Sequence, residues 1–167
     1  MERRRGERDL GQVEPLDLAE VAGAAVALHE DAAVHAEIAA GCRLPVRGDR
    51  LLLSRALHNL ILNAREAGPA AARVEVRAGA AGARAVVEVL DRGAGVPESV
   101  GERAFEPYVS SKARGSGLGL ALVRDIVLQH GGTVTLEQRD GGGACARLSL
   151  PLRSPQQTPE DGRTPRE

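Results

Sequence analysis

Aromatic side chains are almost missing: the 167 residues include one Phe, one Tyr and no Trp. Any core must therefore be assembled from Ala, Val, Leu and Ile, and the chain is long enough to bury one without disulfides or a structural metal. Cysteine is scarce as well. Cys42 and Cys145 stand far apart, with neither a C-x-x-C spacing nor a disulfide framework, as expected of small buried residues in a reducing compartment. No apolar run approaches the ~18 residues of a membrane span, and no hydrophobic signal segment follows the basic start. The expectation is a soluble, cytoplasmic chain, although a membrane-anchored parent protein could carry it. A net charge of −1 recommends neither nucleic acid nor an anionic membrane as partner.

Composition divides the chain into three parts. Residues 1–14 are charged and poor in apolar side chains, with Arg3-Arg4-Arg5 the densest point, and read as a solvated linker. Residues 153–167 lie in a stretch from Pro151 onward that holds four of the nine prolines, and read as a disordered tail. One folded domain is expected over 15–152. Its elements begin with a short strand at Leu16–Leu18 and a helix over 18–32, then a strand at Val34–Ile38. A short extended piece follows at Arg43–Arg47, where Pro45 suggests an edge. Asp49 offers an N-cap for a long helix from Arg50 to about Ala67, stopped by Gly68-Pro69. Strands at Arg73–Ala78 and Ala83–Leu90 flank a turn at Gly79–Gly82. A helix from Leu118 to His130 ends at Gly131-Gly132, and strands at Thr133–Gln138 and Ala144–Leu150 close the domain. This order predicts a two-layer sandwich: one mixed sheet covered on one face by helices.

Against this aliphatic background stand three polar islands in fixed order. The first is Asn59-Leu-Ile-Leu-Asn63-Ala-Arg-Glu66-Ala67 on the long helix. At about 100° per residue, Asn59, Asn63 and Glu66 fall within a strip roughly 60° wide, beside the stripe of Leu53, Leu57, Leu60 and Ala64. A hard Mg²⁺ takes oxygen ligands and shares a nucleotide's phosphates, so one amide oxygen, as from Asn63, suits it without adding negative charge. Two amides at a helix rim are equally compatible with a plain solvated edge.

The second island, Asp91-Arg-Gly93-Ala-Gly95, ends the apolar run Val86–Leu90. A carboxylate there accepts a hydrogen bond from an amino group, which fits the exocyclic amine of adenine and disfavours guanine. An ordinary Asp-Arg-Gly turn would look the same in isolation. The third, Gly115-Ser-Gly117-Leu-Gly119-Leu120, precedes a helix whose N-terminal N–H groups can face phosphate. No Lys-Ser/Thr follows the glycines, and the G-x-G-x-x-G spacing is absent, which excludes a Walker loop and a dinucleotide fingerprint. Lys112 and Arg114 are both candidate phosphate contacts, and spacing does not choose between them. Phe105-Glu-Pro107-Tyr108 holds both aromatic rings of the chain, as a staple for its loop, as a grip on a partner, or with one ring turned each way.

Taken in order, from about Asp49 to Leu150, these islands resemble the catalytic, ATP-binding domain of bacterial sensor histidine kinases. That domain belongs to the superfamily of gyrase, heat-shock chaperone, histidine kinase and mismatch-repair ATPases (GHKL). Asn59–Ala67 is similar to the N box, Asp91–Gly95 to the G1 box, Phe105–Tyr108 to the F box and Gly115–Leu120 to the G2 box. The run Phe105–Lys112, the glycine island and His130-Gly-Gly are especially similar to nitrogen-regulation-type kinases. The resemblance implies an α+β two-layer sandwich of the Bergerat type, with a mostly antiparallel sheet and about three helices, and it implies ATP and Mg²⁺ as ligands. On it, Asn63 binds the metal and Asn59 supports the phosphate end. Asp91 holds the adenine amine, in a pocket shaped by Gly93, Gly95 and Val96. Glu66 and Ala67 line the site, while Gly115, Ser116, Gly117, Leu118, Gly119 and Leu120 form the lid. Phe105, Pro107 and Tyr108 help dock a His-bearing dimerisation domain. Phosphate would pass from that domain to a response regulator, and the isolated domain would be a monomer.

Two departures qualify the implied chemistry. The superfamily's hydrolytic members carry a Glu where Asn59 stands, and an amide cannot serve as general base, so ATP would be positioned for transfer and spared from water. Glu66 stands where some kinases carry a phosphate-contacting Lys, leaving more of that task to Lys112 or Arg114. The phosphoacceptor itself is missing. His29-Glu30 is the only superficial match to its motif and lacks the following Pro and the helical hairpin. His58 is expected at a helix rim and His130 at a helix C-terminus, where partial positive charge is favourable. The alternative within the same fold is an anti-sigma-type Ser/Thr kinase or a stand-alone regulatory ATP-binding module.

Overall fold

A computed structural model describes residues 11–29, 33–69, 72–97, 100–107 and 119–154. Its elements are β1 (Val13–Asp17), α1 (Leu18–Ala27), β2 (Val34–Ile38), β3 (Pro45–Asp49), α2 (Arg50–Glu66), β4 (Val74–Ala81), β5 (Arg84–Leu90), a 3-10 turn (Gly101–Phe105), α3 (Gly119–Gln129), β6 (Thr133–Gln138) and β7 (Ala144–Pro151). Five strands form one mixed sheet in the order β2-β4-β5-β7-β6. Only β2 and β4 run parallel; the other three pairings are antiparallel. The apolar alternation of the inner strands explains the layer beneath: Val74, Val76, Ala85, Val87, Val89, Ala146, Leu148 and Leu150 join the core of α1, α2 and α3. With one Phe and no Trp, aliphatic side chains fill this layer, each fully buried Val, Leu or Ile contributing roughly 1.5–3 kcal/mol.

The structure departs from expectation at four places. A second, two-stranded sheet forms from β1 and β3, so the expected single sheet is two. In it Asp17 stands opposite Pro45, which has no N–H to offer a further strand. β1 begins at Val13, so Val13 and Glu14 are strand and not linker. Helix α1 ends at Ala27, five residues short of the expected 32, as Leu28 caps it through its N–H. The expected turn at Gly79 is strand, with Gly79 paired to Val86, and the chain reverses at Gly82 instead. No helix among the described residues is long and apolar enough to cross a membrane.

Candidate functional site

Helix α2 carries the first polar island because its N-terminus is fixed. The Asp49 carboxylate accepts from the Leu51 and Leu52 N–H groups at 3.0 and 3.1 Å, satisfying two donors that the helix leaves open. Those amides, Leu52 foremost, hold the Asp49 carboxyl below its ordinary 3.8 against the opposing effect of burial; the Gln12 amide adds to the lowering. From that start Leu53, Ala56, Leu57, Leu60, Ile61 and Ala64 turn inward. Asn59 and Asn63 come out half-buried at the margin of this stripe, as the periodicity predicts, whereas Glu66, expected in the same strip, is exposed. The helix ends where the Ala67 N–H reaches the Asn63 and Ala64 carbonyls at 3.1 and 3.3 Å.

At that end the first island meets the second. A Cβ at Gly93 would lie 2.2 Å from the Ala67 carbonyl oxygen and 2.6 Å from its carbon, so only glycine allows this backbone contact. Asp91 is 5% exposed, at the end of β5. One carboxylate oxygen, Oδ1, accepts from the Gly93 N–H at 2.9 Å and the Ala144 N–H at 3.1 Å. The Asp91 N–H in turn donates to the Ala144 carbonyl at 3.0 Å. Among the described residues none donates to Oδ2. A buried carboxylate with one oxygen saturated and the other open is built to accept one further donor.

Two supports come from parts of the sequence that no island flagged. The hairpin between β6 and β7 closes over the Asp91 loop, with the Arg139 Nη1 donating to the Asp91 carbonyl at 2.7 Å and the Val96 N–H to Gln138 Oε1 at 2.9 Å. The His130 ring lies between two helices. Its Nε2 accepts from the Asp49 N–H at 3.0 Å, which puts the ring proton on Nδ1, and this donates to the Ile126 carbonyl at 2.6 Å. His130 thus bolts the C-terminal end of α3 to the start of α2 through hydrogen bonds, not through the helix-end charge expected of it. These partners are separated by 42 to 81 positions, and neither periodicity nor motif spacing reports such pairs.

The remaining candidates divide. Gly119 is exposed at the first turn of α3, and Leu120 packs against the core. Lys112, Arg114, Gly115, Ser116, Gly117, Leu118 and Tyr108 lie outside the described residues. Phe105, for which the sequence leaves open a staple, a partner grip or one ring turned each way, is 8% exposed on the 3-10 turn against α3, as a staple would be; Pro107 is exposed. His29 does not present itself as a phosphoacceptor: it is 8% exposed, its Nδ1 accepts from Arg65 Nη1 at 3.3 Å, and its ring stacks on His58 at 5.0 Å. Among the described residues no group of three or more His, Cys, Asp or Glu could enclose a metal alone. A magnesium ion held by one amide and the phosphates of its nucleotide fits such a donor set.

The fold and this site define a nucleotide-binding α+β sandwich domain. The chain belongs to the family described as histidine kinase-, DNA gyrase B-, and HSP90-like ATPase, which it matches over residues 48–154. It is 39% identical over 129 residues to nitrogen regulation protein NtrY of Azorhizobium caulinodans, a match covering 72% of this chain and 17% of NtrY. It is 34% identical over 161 residues to the sensor-like histidine kinase SenX3 of Mycobacterium tuberculosis, covering 90% of this chain and 39% of SenX3. The structure superposes on the mycobacterial sensor histidine kinase MprB with a TM-score of 0.75 at 31% identity, over 85% of this chain and 99% of that one. The expected fold is therefore found, and the domain is of the ATP-binding type carried by sensor histidine kinases.

Proposed function

We propose that this chain binds Mg-ATP and donates the γ-phosphoryl group to a His on a dimerisation domain, from which a response regulator receives it. The Asp91 carboxylate carries the reading: Oδ1 is committed to the Gly93 and Ala144 amides, which leaves Oδ2 to accept the exocyclic amine of adenine. Asn63 would supply one oxygen to Mg²⁺, with Asn59 steadying the phosphate end. The ion, when bound, neutralises charge on the phosphates. Glu66, Ala67, Gly93, Gly95 and Val96 shape the site; Lys112 or Arg114 meets phosphate, and Gly115 through Leu120 cover it. Pro107 and Tyr108 face the His-bearing domain. An amide at position 59 has no basic lone pair with which to activate water, which suits transfer to a His.

Titration calorimetry with Mg-ATP and Mg-GTP tests the base contact. Asp91→Asn keeps an acceptor for Gly93 and Ala144 but turns an NH₂ toward the adenine amine. The loss of one charge-assisted hydrogen bond, about 1.5–3 kcal/mol, predicts binding weaker by roughly 10- to 150-fold. GTP, whose O6 faces a carboxylate, should bind far more weakly than ATP. Absence of binding at millimolar Mg-ATP, or unchanged affinity in Asp91→Asn, would overturn the reading.

A further inference from the structure

The Asp91–Val96 loop is held at both ends by two consecutive residues of the β6–β7 hairpin. At its start, Arg139 Nη1 donates to the Asp91 main-chain carbonyl at 2.7 Å. At its end, Gln138 Oε1 accepts from the Val96 N–H at 2.9 Å, while the Gln138 carboxamide fills the space where a Cβ at Gly95 would stand, 2.3–2.4 Å from its Oε1 and Nε2. The hairpin is itself closed by Arg139 N–H to the Gly143 carbonyl at 3.0 Å and Gly142 N–H to the Arg139 carbonyl at 3.2 Å. Gln138 also stands opposite Ala144 in the β6–β7 register, and Ala144 supplies one of the two amides that saturate Asp91 Oδ1. The hairpin therefore grips the loop through side chains and orients the carboxylate through its main chain.

We propose that Gln138 is a positioning residue for nucleotide binding, with Arg139 as its second anchor. This rests on the proposed ATP site: the hairpin fixes where Asp91 Oδ2 meets the base, and its side chains need not touch the nucleotide. The loop has few other holds. Gly93, Ala94 and Gly95 bury almost no side chain, so a few hydrogen bonds from outside it set its position. The acceptor character of Gln138 is what matters. Glutamate offers the same oxygen to the Val96 N–H, whereas alanine removes it.

The test compares wild type with Gln138→Ala, Gln138→Glu and Arg139→Ala, in the full chain. Each is read by calorimetry with Mg-ATP, by hydrogen exchange at the Val96 amide without nucleotide, and by thermal unfolding. Gln138→Ala is expected to weaken Mg-ATP binding three- to tenfold and to speed Val96 exchange by a similar factor. The midpoint should hold to about 2 °C, because the bond lies at the surface. Gln138→Glu should keep both within twofold, and Arg139→Ala should resemble Gln138→Ala in affinity. Unchanged Val96 exchange in Gln138→Ala overturns the proposal, as does wild-type affinity in that variant or a Glu variant as impaired as the Ala one. A wild-type chain that fails to bind Mg-ATP overturns the functional reading instead, while Val96 exchange still decides whether Gln138 holds the loop.

Discussion

Gly48→Ala tests the bolt between α2 and α3. A Cβ at Gly48 would sit 2.5 Å from His130 Cδ2, 2.8 Å from its Nε2 and 3.0 Å from Leu53 Cδ1. Leu53 is fully buried and gives no room. The ring can retreat only by releasing the Asp49 N–H at 3.0 Å and the Ile126 carbonyl at 2.6 Å. Two lost hydrogen bonds cost about 1–3 kcal/mol together, and overpacking about 1–3 kcal/mol more. Loss of glycine's freedom in the unfolded chain returns about 0.4–1 kcal/mol. The expected net loss is roughly 3 kcal/mol, within limits of about 1–5.5 kcal/mol, or about 6–12 °C in unfolding midpoint for a domain of this size. Urea unfolding of the single variants and of Gly48→Ala/His130→Ala makes a double-mutant cycle. Without the imidazole the added methyl has space, so the Gly48→Ala penalty should shrink by about 1–2 kcal/mol in the His130→Ala background. A Gly48→Ala chain within 0.5 kcal/mol of wild type, the scatter of ordinary surface substitutions, would refute the argument. An equal penalty in both backgrounds would do so too.

Two further outcomes follow from the same geometry. Asp49 has its folded-state pKa depressed below 3.8, chiefly by the Leu52 amide, so its ionised form adds stability that is complete above that value and is lost as pH falls through the lower folded-state value. Asn is also a good N-cap but cannot ionise, so the stability gap between wild type and Asp49→Asn should hold steady from about pH 5 to 8 and narrow below about pH 4; chemical unfolding across that range decides, and a gap independent of pH would contradict it. Gly93→Ala must push the loop about 1 Å from the Ala67 carbonyl, because both atoms it meets are backbone. Mg-ATP affinity should fall at least tenfold, as a displaced loop carries Asp91 with it, and wild-type affinity by calorimetry would refute the contact's importance.

What could be read from sequence was whatever local chemistry decides. Helix α2 has its cap, its stripe and its Gly68-Pro69 stop written between Asp49 and Pro69, and its expected bounds hold to within a residue. Strand β6 has its expected bounds. The early end of α1 was not legible: Ala-rich residues up to 32 contain no breaker, and what occupies His29 is a stack on His58, on a different helix. The β1–β3 pairing joins residues about 30 positions apart, and Pro45 hinted at an edge without saying which sheet. In the candidate site the division is the same. Asn63 and Asp91 stand out as candidates because their islands occur in a fixed order that resembles a known family. Gln138 and Arg139 do not, because any long polar side chain in the right place can bond a main-chain N–H or carbonyl, and only the fold reveals the place.

The first two polar islands are separated in sequence, yet the contacts that unite them run through main chain and glycine more than through side chains. Gly93 rests on the carbonyl that ends α2, and Asp91 is paired to Ala144 in both directions. At the other end of α2, the N-terminal Asp49 is tied to α3 through His130. Backbone contacts leave few rotamers to adjust, so the Asp91 loop and the end of α2 that carries Asn63 are held against each other before any ligand arrives. On the proposed function, that frame favours the nucleotide: a base that satisfies Asp91 Oδ2 would bring its phosphates toward Asn63 without first reorganising the loop. Discrimination between purines would then come from the hydrogen-bonding of a single oxygen, and the hairpin, whose side chains need not touch the nucleotide, would set how sharply that oxygen is aimed.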